Sequence, residues 1–238
     1  MLSNARSEAA LEAALPVPIE VRPMRNARRM RLRFDDASGT LKLTCPTRMS
    51  RRKALAWALD QGEWIEAQVA RILPAQPFAP GAVIPIEGRD TRIVWDATGR
   101  RTPELIDGEL RCGGPEAGLA RRIETFLKGL AVRTMSAEVA EYAAAAGVKP
   151  GPVSIGDAGT RWGSCSSTGR IRLSWRLILA PREVRRYVVA HEVAHLKHLD
   201  HGAHFKALEA QLFGPGISEA KAILKRAGPR LRRIGRGR

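Results

Sequence analysis

Apolar residues recur at every second position from Val17 onward: Val17, Ile19 and Val21, then Met30, Leu32 and Phe34, then Leu41 and Leu43. Asp35-Asp36 and Ser38-Gly39 separate the runs. This period predicts short antiparallel strands with one buried face. After Ser50, a good helix N-cap, the spacing changes, and Leu55, Trp57, Leu59, Trp64, Ile65, Val69 and Ile72 form one apolar side. A single helix over 50–72 is expected. Proline and glycine punctuate 74–82, and strands follow around 83–86 and 91–95, with a hairpin over 105–112 closed by Asp107-Gly108. The GGPEAG break at 113–118 is the expected subdomain boundary.

Beyond it, helical periodicity runs from about 119 to 146 and stops at Gly147 and Pro150. A strand is expected at 153–155. In RWGSCSSTGRIRLSW, residues 161–175, Ser166, Ser167 and Gly169 make a turn, after which Ile171, Leu173 and Trp175 alternate with Arg170, Arg172 and Ser174. That alternation predicts a half-exposed strand at or near a sheet edge. Pro181 opens a helix through Val184, Tyr187, Val188, His191 and His195 to about Leu199, and a shorter helix over 203–213 ends at Gly214-Pro215. The fold class expected is α+β. Residues 1–16 form a frayed terminus, 17–115 an antiparallel β-rich region with one helix, 116–213 a second half in which the helix opened by Pro181 packs on a small sheet, and 214–238 a basic tail.

Composition narrows the class. The chain has 238 residues, 44% hydrophobic and 27% charged, and no stretch reaches the roughly 18 consecutive apolar residues that a membrane span needs. Glu8 and Glu12 sit where a secretory signal would be apolar, so a cytoplasmic protein with no membrane partner is expected. Cys45, Cys112 and Cys165 form no C-x-x-C pair, which suits a reducing compartment. The net charge of +16 opens a nucleic-acid partner. The eight basic residues from Lys221 to Arg238, with no acid among them, carry that possibility, and a second cluster spans Arg22 to Arg33. The excess of arginine over lysine also fits a GC-rich genome.

All five histidines, His191, His195, His198, His201 and His204, fall within fourteen residues in AHEVAHLKHLDHGAHF. The segment opens with HExxH. Residues four apart on a helix are separated by about 40° and about 6 Å, so His191 and His195 converge on one ion. Glu192 lies about 100° around the axis, placed to act as general base on water. A catalytic zinc takes three protein ligands, one ion per chain here, and leaves a position open. His198 is too far along the axis from His191. His201, past the helix end and followed by the flexible Gly202, is the third ligand expected, with His204, Glu209 or Glu219 as alternatives. Nickel or manganese remains open as the metal.

The spacing of six residues from His195 to His201 also occurs in metzincins, but His198 stands where those have glycine and the last methionine, Met135, precedes the motif. TRWGSCSSTGRIRLSWRLILAP at 160–181, YVVAHEVAHLKHLDHGAHF at 187–205, and the RMRLRF, LTCP and GEWIEAQ segments resemble the YgjP-like and SprT-like zincin metallopeptidases, above all the YgjP-like branch. The resemblance spans about 17–213. It implies His201 as third ligand, with Asp200 and Gly202 departing from the usual asparagine and serine. It also implies zinc-assisted hydrolysis of a peptide or protein, with Glu192 moving the proton. By analogy with zincins, the strand near 170–175 would bind an extended peptide, with Arg161, Trp162, Ser164 and Arg172 as substrate-binding residues. The bland alternative is a tight turn around a packed tryptophan. Cys165 and Tyr187 are expected to pack. Two other functions stay open: hydrolysis of a nucleotide at the same metal, motivated by the arginines, and action on DNA-bound proteins through the basic tail.

Overall fold

The computed structural model describes residues 7–35, 38–69, 74–157 and 161–236. The chain forms two compact units, Met1–Pro74 and Ala75–Arg238. Each combines helices with small sheets, as the α+β expectation required.

The first unit begins with α1 (Glu8–Ala13), capped by the Ser7 hydroxyl, which accepts from the Ala10 amide, and anchored by buried Leu11 and Leu15. Residues 7–15 are therefore built into the unit and not frayed; 1–6 lie outside the described residues. Next come β1 (Ile19–Met24), β2 (Arg31–Asp35) and β3 (Thr40–Pro46), in the order β1-β3-β2. Strand β2 pairs antiparallel with β3, but β1 runs parallel to it, with Ile19 opposite Leu41 and Val21 opposite Leu43. The all-antiparallel expectation fails because alternation specifies which face is buried and leaves the neighbour open. Asp36, placed in the turn, lies outside the described residues.

The helix expected over 50–72 is two helices, α2 (Arg51–Leu59) and α3 (Gly62–Val69). Gly62 marks the break, because glycine holds a continuous helix poorly. The break lets two surfaces form at once. Ala54 and Ala58 of α2 cluster with Leu43 and Cys45, while Ile65 of α3 joins Leu15, Phe34 and Leu41. Trp64, assigned to the apolar side, is 40% exposed, and Ile72 lies outside the described residues.

In the second unit, β4 (Val83–Ile86), β5 (Arg89–Asp96), β6 (Glu104–Ile106) and β7 (Glu109–Gly113) form a sheet ordered β4-β5-β7-β6. Asp107 and Gly108 close the β6–β7 hairpin with φ of 50° and 78°, as a type I′ turn requires. The chain division expected at 113–118 is absent. Gly113 is a strand residue whose amide donates to the Arg100 carbonyl, and the helix after the break shares one core with this sheet. That helix, α4 (Leu119–Ala146), buries Ile123, Leu127, Ala131, Met135, Val139 and Tyr142 and ends on Gly147 at φ 63°.

A second sheet follows: β8 (Val153–Gly156), β9 (Gly163–Cys165) and β10 (Ile171–Ser174), ordered β8-β10-β9. The strand expected at or near a sheet edge, β10, is the central one, with β8 and β9 at the two edges beside it. Arg172 alternates with buried neighbours because one face of the sheet is open, whatever the position of its strand. A 3₁₀ turn over Trp175–Leu179, entirely buried, leads into α5 (Arg182–Ala194), α6 (Ala203–Phe213) and α7 (Ile217–Arg233). Arg185 of α5, 1% exposed, donates to Glu138 of α4 at 2.9 Å and to Glu87 of the β4–β5 turn at 2.8 Å, tying α5 in place.

The basic tail expected over 214–238 is also corrected. Its residues form α7, whose Ala220 and Leu231 are buried and whose Ile223, Leu224 and Ala227 pack against the core. The buried Arg176 donates to the carbonyls of Leu231 and Ile234 and pairs with Asp157 at 2.7 Å. The charge of this segment hides an apolar stripe at helical spacing. Residues 237–238 lie outside the described residues.

Candidate metal centre

Helix α5 presents Val184, Val188, Val189 and Val193 to the core, so its last turn, which carries HExxH, is anchored from below. The helix stops at Ala194, five residues before the end expected at Leu199. The Leu196 and Lys197 amides donate three residues back, to Val193 and Ala194, tightening the turn. His195 Nδ1 donates to the His198 carbonyl at 2.9 Å. The Gly202 amide then caps Asp200 Oδ1 at 2.8 Å, and the chain returns with His201 beside the helix end.

The ligand atoms of His191, His195 and His201 lie within 4.8 Å of one another. Phe205 of α6, 1% exposed, meets all three rings at centroid distances of 5.0, 4.5 and 4.7 Å. His191 Nδ1 donates to Glu209 Oε1 at 2.7 Å. A carboxylate and a carbonyl only accept, so the protons of His191 and His195 belong on Nδ1 and each Nε2 offers a lone pair. His191 Nε2 and His201 Nε2 are 3.3 Å apart. That separation matches one edge of a tetrahedron with arms of about 2.0–2.1 Å, roughly 3.3–3.4 Å, so the donor set suits zinc. His198 and His204 stack on each other at 5.9 Å, and Glu219 opens α7; none of the three belongs to the cluster. Glu209, weighed as a ligand, instead holds His191 from behind and meets Lys221 at 3.7 Å.

Glu192 is 5% exposed and makes no hydrogen bond or ion pair among the described residues. Burial pushes its carboxyl up to about 7, against the opposing charge of Arg161. Gly163 is what makes room for it: a Cβ there would stand 2.5–2.8 Å from the Glu192 side chain. The edge strand thus passes directly over the carboxyl. Sequence reasoning assigned RWGSC to the substrate cleft or to a tight turn; the structure makes Gly163–Cys165 a strand, and no spacing showed that its glycine makes room for Glu192. Burial, with the Glu192 charge adding, raises the Cys165 thiol, so this residue packs as a neutral group. Burial and Glu209 raise the Tyr187 hydroxyl, whose ring packs edge-on to Phe213 at 5.6 Å. Burial lowers His191, opposed by Glu209.

Arg161, Trp162, Ser164 and Arg172 are brought together around one cavity of about 210 Å³ bordered by Gly163. Among the described residues, no helix is long and apolar enough to cross a membrane.

No curated protein matches the chain. Among solved structures, the crystal structure of the metallopeptidase zymogen of Pyrococcus abyssi abylysin is similar at 23% identity and a TM-score of 0.36, covering 42% of this chain and 97% of that one. A likeness so slight carries no conclusion. The family model described as YgjP-like, metallopeptidase domain matches residues 28–227 and so reaches past 213 into α7. Over that span the chain belongs to the YgjP-like metallopeptidase family.

Proposed function

We propose that the protein is a zinc-dependent peptidase in which His191, His195 and His201 hold one ion and Glu192 is the general base. The observation that carries this reading is the convergence of three imidazole nitrogens within 4.8 Å beside a buried carboxylate that has no partner of its own. Zinc held there supplies Lewis acidity, polarising a substrate carbonyl and making water more acidic. Glu209 and the His198 carbonyl keep His191 and His195 in the metal-binding tautomer. Glu192 accepts a proton from the attacking water and returns it to the leaving amine. Phe205 walls the histidines on one side and excludes water there.

The test begins with elemental analysis of wild-type and His201→Ala protein. About one zinc per chain is expected in the first and a clear loss in the second. Zinc retained by the variant would reassign the third ligand to His204 or a glutamate. Glu192→Gln is expected to keep zinc while slowing peptide hydrolysis by about 10²–10⁴-fold; an unchanged rate would remove Glu192 from the chemistry.

A further inference from the structure

We propose that the cavity beside β9 is a subsite for a carboxylate carried by the peptide substrate. The proposal rests on the peptidase reading and names the substrate class of that same site.

Among the described residues strand β9 pairs only with β10, with Gly163 opposite Leu173, Ser164 opposite Arg172 and Cys165 opposite Ile171. Its other edge has no strand among the described residues. Alternation turns Gly163 toward Glu192 and sends Ser164 and Arg172 to the opposite face. An extended substrate added to the free edge would follow the same alternation. A residue directed toward Glu192 would have a neighbour directed into the cavity.

The cavity is built around positive charge. Arg172 lies across Gly156 of β8, where a Cβ would stand 2.5–3.0 Å from the guanidinium, so the glycine leaves space for that side chain. Trp162 forms a fixed wall: the Arg232 guanidinium stacks on its ring at 4.7 Å, and α7 comes close at Gly228, where a Cβ would be 3.2 Å from the ring. Ser164 adds a hydroxyl. Neither Arg161 nor Arg172 makes an ion pair among the described residues, whereas Arg176, Arg185, Arg186 and Arg236 all have acidic partners. Guanidiniums with no carboxylate at ion-pair distance, Arg161 facing Glu192 only through longer-range charge, are suited to a carboxylate, which they bind through paired charge-assisted hydrogen bonds. The volume, about 210 Å³, is smaller than the roughly 300–1,000 Å³ typical of small-molecule sites, which favours a single side chain or chain end over a nucleotide.

A carboxylate can come from an internal Asp or Glu or from the C-terminus of a peptide. The experiment uses the zinc-loaded full chain and peptides acetylated and amidated at their ends, matched except for Glu, Gln or Lys at each position in turn, with a second set bearing free C-termini. At one position, Glu is expected to raise kcat/KM by about tenfold or more over Gln, mainly through KM. Arg172→Glu or Arg161→Glu should reverse the preference toward Lys, and Arg172→Lys should retain part of it, with zinc content constant throughout. A preference only for free C-termini would assign the carboxylate to the chain end. Cleavage with no acidic preference, or a preference that survives both charge reversals, overturns the subsite and leaves the peptidase reading standing. Failure of the zinc-loaded wild type to cleave any peptide, neutral or acidic, overturns both.

Discussion

The two units differ in what they bury. Among the described residues, the first unit encloses only apolar side chains, Leu15, Phe34, Leu41, Leu43, Cys45, Ala54, Ala58 and Ile65 among them, and keeps its charges at the surface. Every buried polar or charged residue among those described belongs to the second: Thr91, Glu138, Ser174, Arg176, Arg185, Glu192 and Glu209. A buried charge is tolerable when paired and costly when alone. Arg185 has Glu138, Arg176 has Asp157, and Glu209 accepts a hydrogen bond from His191 and meets Lys221 at 3.7 Å. Glu192 alone lacks such a partner, and it stands beside three imidazoles. The contrast separates charges that brace the fold from the one the fold pays to keep, and unsupported charge of that kind clusters at functional sites.

The strongest test of that contrast removes a bracing charge. Arg185→Ala leaves Glu138 buried without its partner and is expected to cost about 3–5 kcal/mol, read from urea unfolding followed by tryptophan fluorescence. A cost below about 1 kcal/mol would mean that the pair is not a brace. Leu41→Ala in the first unit empties apolar space instead and should cost about 2–5 kcal/mol. Zinc stoichiometry should stay the same in that variant, since no proposed ligand lies in the first unit. Loss of zinc would show that the two units depend on each other. Glu192→Gln should behave in the opposite sense to Arg185→Ala: by removing an unsupported charge it should leave the metal-free protein as stable or up to about 1 kcal/mol more stable. A clear destabilisation would place Glu192 among the braces.

The same division explains what the sequence revealed. Alternation located β1, β2 and β3 closely, because a half-buried strand writes its buried face into every second residue. It could not show that β1 runs parallel to β3, which depends on how the chain crosses between strands. The histidine cluster was legible because His191 and His195 lie one helical turn apart, and because the spacing past the helix end and the resemblance both pointed to His201. Yet α5 ends at Ala194, and what returns His201 to the site is the tight turn together with the His195 and Asp200 hydrogen bonds, which no periodicity records. Glu209 illustrates the limit. A carboxylate on α6 could be a ligand or a ligand's support, and its 2.7 Å contact with Nδ1 of His191, the geometry of a support, is not written in any spacing. In α7 the basic residues drew attention from the apolar stripe among them. Because α7 is part of the second unit's core, deleting 221–238 to test nucleic-acid binding would uncover Arg176 as well as remove charge.

The smallest expected effect concerns Asp157, which joins Arg176 to Arg236 at 2.7 and 2.6 Å. Burial pushes its carboxyl up, but hydrogen bonding and charge from Arg176, together with the charge of Arg236, outweigh burial and hold it below the usual carboxylate range. A carboxyl lowered in the folded state stabilises the fold fully above its unfolded value of about 3.9, and that contribution disappears as pH falls through the lower folded value. Asp157→Asn cannot titrate and keeps the shape. The difference in unfolding midpoint between wild type and Asp157→Asn should therefore be widest near pH 5–6 and shrink as pH falls below about 4, where the protonated acid resembles the amide. Because the two proteins share every other acid, that narrowing isolates Asp157 from general acid unfolding. A gap that stays constant down to pH 3 would show that the Arg176 and Arg236 contacts do not depend on its charge, and would move Asp157 out of the group of paired charges that brace the second unit.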